Sequence, residues 1–113
     1  MTKVNRQKVF DKYSGHCAYC GKKIDIKDMQ VDHIIPVCLN GNDDIANTNP
    51  SCRRCNHYKR AESLEYYREL INTIHERLQD IYIYKVALDY GLIVEKPFSN
   101  KFYFEYKLEE QEK

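Results

Sequence analysis

The residues able to do chemistry crowd into one stretch of this 113-residue chain. Two identical pairs, Cys17-x-x-Cys20 and Cys52-x-x-Cys55, bracket the tripeptide Val31-Asp32-His33, and Asn56 follows the last cysteine directly. Thiolates at this spacing form two knuckles that can close one tetrahedral site around a zinc ion, whereas ordinary buried thiols have no reason to repeat the spacing. A zinc site of that kind is a scaffold. It has no use for the carboxylate, imidazole and carboxamide of Asp32, His33 and Asn56, so these are the candidates for reactivity. A neutral imidazole, with an unperturbed pKa near 6.5, can take a proton from water at neutral pH. Cys38 stands outside both pairs and is expected to be a buried, inert thiol.

The elements that would position these groups are short. Residues 3–13 read as a helix with Val9, Phe10 and Tyr13 on one side, stopped by Ser14-Gly15. Gly21 suits the tight turn of the first knuckle. Ile24 and Ile26 alternate with Asp25 and Lys27 as in a short strand, and 29–35 reads as a second strand ended by Pro36. Adjacent strand residues point to opposite faces, so Asp32 and His33 meet one substrate only through a bulge or from different sides. Residues 39–50 carry turn composition and read as loop, and a helix is expected from about Cys52 to Arg60. Beyond that, Leu64, Tyr67, Ile71, Ile74, Leu78, Ile81, Lys85 and Leu88 recur at alternating steps of three and four. That period predicts one long helix stopped by Gly91. Phe102, Phe104, Tyr106 and Leu108 alternate with polar or mixed neighbours, predicting a strand over 101–108, with a frayed end at 109–113. The fold class expected is α+β: a core over 1–60, and a helical and β extension over 61–113 that packs on the core or mediates dimerisation.

Composition narrows the setting. The start is charged and leads into no apolar run, and no stretch approaches the roughly 20 apolar residues of a membrane span. A soluble, cytoplasmic protein is expected, and in a reducing compartment paired cysteines favour metal thiolates over disulfides. The net charge of +1 hides a split: residues 1–60 hold 11 Lys/Arg against 6 Asp/Glu, and residues 61–113 hold 7 against 11. Even after four zinc-bound thiolates the first part stays at about +3, so it is the side that could face a polyanion. Arg53, Arg54, Lys59 and Arg60 are its densest basic group.

Taken in order, Cys-x-x-Cys-Gly-Lys-Lys, Val-Asp-His-Ile-Ile-Pro, Gly-Asn-Asp-Asp-Ile-Ala-Asn and Cys-Arg-Arg-Cys-Asn-x-x-Lys resemble the HNH endonucleases, over about Arg6 to Lys59. The resemblance implies a ββα-metal fold and cleavage of DNA. It implies that Asp32 binds a catalytic divalent cation, that His33 is the general base, and that Asn47 braces the loop holding the base. Asn56 matches the second metal ligand; many relatives carry His there, so the chain resembles an HNN-like variant. Lys59 matches a recurrent basic position that would contact phosphate, alongside Arg53, Arg54 and Arg60. A carboxylate with an amide carbonyl suits Mg²⁺ or Mn²⁺, hard ions that keep sites for water and phosphate.

Other readings stay open at this stage. Asn49 competes with Asn47, and His57 with Asn56, while His16 and His75 read as structural or solvated. The four basic residues could be a solvated face. Residues 64–88 could pack on the chain's own core or form a homodimeric coiled coil, although Tyr67 and Lys85 are poor seam residues. Two other functions are also consistent with the knuckles: a non-catalytic zinc module that binds nucleic acid or protein, and an assembly protein acting through its long helix.

Overall fold

The computed structural model of the chain describes residues 4–111. Asn5 caps the first helix: its side-chain oxygen accepts from the Lys8 N–H, and α1 runs Arg6–Asp11. Val9 and, just beyond the helix, Tyr13 are buried. Arg6 reaches from α1 to the carbonyls of Ile26 and Met29. The first knuckle follows as a tight turn, with the Gly21 N–H on the Cys17 carbonyl at 3.0 Å. Gly21 sits at φ +81°, and a Cβ there would lie 2.8 Å from the Tyr103 ring, so both backbone and space require glycine.

The strand expected at Ile24–Lys27 does not form. Lys23 makes an isolated bridge with His16, and the chain then turns, with the N–H groups of Asp28 and Met29 bonded to the carbonyls of Asp25 and Ile26. Donors spent on a turn cannot serve a ladder. Strand β1 (Gln30–His33) instead pairs antiparallel with β2 (Thr48–Ser51), in the register Gln30↔Ser51, Val31↔Pro50, Asp32↔Asn49 and His33↔Thr48. β2 lies partly inside the stretch read as loop. Its sequence, Thr-Asn-Pro-Ser, has turn composition, but all four residues are buried, and the Pro50 carbonyl accepts from Ala18 of the first knuckle. Burial against two partners overrides the weak local propensity.

Helix α2 (Arg53–Lys59) starts on Cys52, whose sulfur accepts from the Cys55 N–H. It ends at Arg60, which has positive φ. Two short strands and this helix form the mixed core that the sequence anticipated.

The C-terminal strand is a correction. Tyr103–Gln111 is a helix, α6. The Glu105 carboxylate accepts from the Phe102 N–H at 2.9 Å, as in a capping box, and the residues after it are strong helix formers. The N–H groups of Tyr103 and Phe104 bond the carbonyls of Tyr19 and Ala18. Phe102 and Phe104 are thereby buried around Tyr19, with ring centroids at 5.3 and 5.8 Å. The alternation of aromatics came from this anchor rather than from a pleat. The expected fraying at 109–113 falls partly on helix and partly, at 112–113, outside the described residues.

By internal contacts the chain makes two units: residues up to Leu64 with those from Lys101 onward, and Glu65–Asn100. The 61–113 extension is thus divided between them. The long helix expected over 64–88 is broken into α3 (Leu64–Asn72), α4 (Ile74–Leu78) and α5 (Tyr82–Asp89). At the first break the Leu70 carbonyl, which Ile74 N–H would need, accepts instead from the Thr73 hydroxyl and the Arg77 guanidinium, both at 2.9 Å. At the second, the Gln79 side chain takes the His75 carbonyl while its own N–H turns to Glu76. Side chains have intercepted the helical ladder. The continuous seam that a coiled coil needs is absent from the described residues.

Candidate active site and metal centre

The knuckle turn and the start of α2 bring the four cysteine sulfurs of 17, 20, 52 and 55 within 4.8 Å of one another, with Cys20 and Cys52 sulfurs 4.0 Å apart. Sulfurs on a tetrahedral zinc would stand roughly 3.8 Å apart, given Zn–S bonds of about 2.3 Å, so the cluster could hold zinc. Backbone N–H groups point at two of the sulfurs: Cys52 N–H at Cys17 and Cys55 N–H at Cys52. Hydrogen bonds from Cys20 and Cys55 push the Cys17 thiol far down, while the bond with Cys17 lifts Cys20 to about 11 and drives Cys55 up. A bound ion of charge +2 would draw the protons off all four sulfurs.

Asp32 and His33 sit at the end of a regular ladder and therefore face opposite ways. Asp32 points inward. Its carboxylate accepts from the Tyr19 hydroxyl and pairs with the Lys59 ammonium at 3.2 Å, with the side chains of Asp32 and Lys59 only 4% and 1% exposed. Burial raises the Asp32 pKa, opposed by Tyr19 and by Lys59. Burial also pushes the Tyr19 hydroxyl well above its ordinary range, reinforced by the Asp32 charge. Lys59 gives its other protons to the carbonyls of His33 and Glu62. All three of its donors are satisfied, and Lys59 is buried where Arg53, Arg54 and Arg60 are exposed.

His33 points outward from the ladder, and its Nε2 lies 2.7 Å from Asp43 Oδ1. Asn47 braces the segment just after it. Its side-chain oxygen accepts from the Ile35 N–H, and its amide donates to the carbonyls of Ile35 and Asn42. Gly41 closes the same loop so tightly that a Cβ would fall 1.6 Å from the Ile35 carbonyl oxygen. Asn49, the competitor of Asn47, is buried on β2 and accepts from Lys12. Asn56 lies half-buried on α2, and its carboxamide has no partner among the described residues. The structure joins α2 to Asp32 through Lys59, not through Asn56.

Three residues important to this geometry escaped the sequence reading. Tyr19 lies between the cysteines of the first knuckle and was passed over as spacer. Asp43 sits in a turn-like run, Asn42-Asp43-Asp44, where acids are ordinary. Lys12 donates to the carbonyls of Ile45 and Thr48 and to Asn49, tying α1 to β2. Only Asp43 left a usable trace, a carboxylate on the loop closing behind a candidate base. Cys38, expected to be buried, is exposed, with its sulfur 3.9 Å from the Ala61 carbonyl.

A cleft of about 760 Å³ lies beside the cysteine cluster, lined among others by Lys22, Lys23, Arg53, Arg54 and His57. Arg53 also faces Asp28 at 3.7 Å, an exposed and therefore weak pair. His57 is thus on the cleft side of α2.

Residues 17–69 match the family model described as HNH endonuclease. No curated protein matches the chain. Among solved structures, the crystal structure of the Type II-C Cas9 enzyme from Actinomyces naeslundii is similar over 57% of this chain, with 26% identity and a TM-score of 0.50. The similar region is 7% of that Cas9 chain.

Proposed function

We propose, from the match of residues 17–69 to the HNH endonuclease family model, that the chain hydrolyses DNA phosphodiester bonds with His33 as the general base. The observation that carries this reading is the setting of His33. The imidazole is partly exposed at the end of a buried ladder, and the loop behind it is clamped by Asn47. A clamped base is held in the geometry that proton transfer from an attacking water needs. Asp32 and Asn56 are proposed to hold Mg²⁺ or Mn²⁺. Their oxygens are of the right kind, and Asp32 already faces a cation, the Lys59 ammonium, in a site that binding of a divalent ion would have to rearrange. When bound, such an ion supplies Lewis-acid stabilisation of charge at the phosphate. The four cysteines are proposed to bind structural zinc, and Arg53, Arg54 and Arg60 to contact the DNA backbone.

A plasmid nicking assay in Mg²⁺ or Mn²⁺ tests the proposal. His33→Ala should lose about 10²- to 10⁴-fold in rate, the usual contribution of a general base; equal rates would remove His33 from that role. A panel of linear duplex, branched DNA and RNA would define the substrate.

The second reading, a non-catalytic zinc module that binds nucleic acid, is favoured by the basic cleft beside the cysteines. Retention of DNA without cleavage in any divalent ion would select it. Homodimerisation through 64–88 would use exposed residues such as Tyr66, Tyr82 and Ile83 in place of a seam; light scattering reads the mass. Among the described residues no helix is long and apolar enough to cross a membrane, and a cytoplasmic location belongs to the proposal.

A further inference from the structure

We propose that Asp43 is the positioning residue of His33, fixing its tautomer so that Nδ1, not Nε2, receives the proton of the attacking water. This deepens the nuclease reading of His33 and rests on it.

A carboxylate only accepts hydrogen bonds, and Asp43 Oδ1 stands 2.7 Å from Nε2. In the neutral ring Nε2 must therefore carry the hydrogen, which leaves the lone pair on Nδ1. Nδ1 has no partner among the described residues, and the His33 side chain is 24% exposed, enough for water to reach it. Asp43 is held from both sides. The Asn47 amide donates to the Asn42 carbonyl, and the Asn42 side chain accepts from the Asp44 N–H. The Asp44 carbonyl in turn accepts from the Asn47 N–H and the Thr48 hydroxyl. The clamp assigned to the base thus also places the carboxylate that orients it.

The proton inventory closes. Water gives its proton to Nδ1 as its oxygen bonds to phosphorus. The bond from phosphorus to the leaving oxygen breaks, and that oxygen takes a proton from solvent. The imidazolium so formed carries its Nε2–H against the Asp43 carboxylate, which stabilises it through a charge-assisted hydrogen bond. A ring in the other tautomer offers no base at Nδ1, and mis-set tautomers are known to cost orders of magnitude in histidine catalysis.

The experiment uses the full chain, ¹⁵N-labelled at histidine, at pH 8. The His33 signals are assigned by their loss in His33→Gln. Wild type should show the proton on Nε2, and Asp43→Ala should show both tautomers. Asp43→Ala should also lower kcat for plasmid nicking by at least about tenfold while KM stays within twofold. Asp43 is 31% exposed on a loop, so the substitution leaves no buried cavity. A wild-type ring protonated on Nδ1, or an Asp43→Ala chain that nicks at the wild-type rate, overturns the proposal. If His33→Gln nicks as fast as wild type, the nuclease role of His33 fails instead, and the nitrogen spectrum still reports the Asp43 contact separately.

Discussion

Asp32 and Lys59 hold opposite charges almost wholly out of water, and each is satisfied only by the other and a few neighbours. A pair of this kind is costly to break from one side, because the remaining charge stays buried and uncompensated. Lys59→Met should therefore cost about 3–5 kcal/mol in urea unfolding. Adding Asp32→Asn should recover part of it, and a single mutant as stable as wild type would mean the ammonium is not in fact buried. Tyr19 adds a pH dependence. Burial, then the Asp32 charge, keeps its hydroxyl protonated in the folded chain, whereas an unfolded tyrosine ionises near pH 10. The native state then binds the extra proton, so stability present below about pH 10 is lost as pH rises above it. The urea midpoint should fall more steeply between pH 9 and 11 for wild type than for Tyr19→Phe; parallel curves would contradict the shift.

Among the elements, α6 shows how a strand-like alternation can belong to a helix. As an inward strand face, Phe102, Phe104, Tyr106 and Leu108 would all be core. Instead, only Phe102, just before the helix, and Phe104 within it are buried, while Tyr106 and Leu108 are 40% and 44% exposed. Phe104→Ala should cost about 3–5 kcal/mol, and Tyr106→Ala or Leu108→Ala under about 1 kcal/mol, by chemical denaturation. Equal losses at all three would restore the strand. α3–α5 make the related point that a period of three and four fixes a face but not continuity. Leu64, Ile71 and Ile74 keep their spacing, yet Thr73, Arg77 and Gln79 divert the carbonyls that would join the turns. β2 was illegible for the opposite reason: its residues look like a turn, and only the neighbours that bury them make them a strand.

In the molecule as a whole, the cysteine cluster links segments far apart in sequence. It ties the first knuckle, which carries Tyr19 and receives α6, to the start of α2, which carries Asn56 and ends at Lys59. Losing an ion held there would therefore loosen both the hydrophobic anchor of α6 and the polar group around Asp32. Metal-binding free energy in small domains is on the order of 10–16 kcal/mol and is largely folding free energy. Chelation or Cys17→Ser should lower the melting temperature sharply and expose Phe102 and Phe104, seen as increased dye binding. His33→Ala, at a partly exposed position, should melt like wild type. An unchanged Cys17→Ser melting curve would deny the cluster a structural role.

The sequence by itself determined which groups are available and the order in which they come. The repeated Cys-x-x-Cys spacing, Asp32-His33, Asn47 and Asn56 were visible because ligand spacing and local motifs are properties of the chain. Only the tertiary structure decided what each group faces. It set Asp32 inward against Tyr19 and Lys59, and it turned His33 outward to Asp43. It also made Lys59 a buried partner instead of a surface cation, and Thr48–Ser51 a strand. Those outcomes depend on burial and on partners ten or more residues away, and no local pattern of residue types encodes a distance.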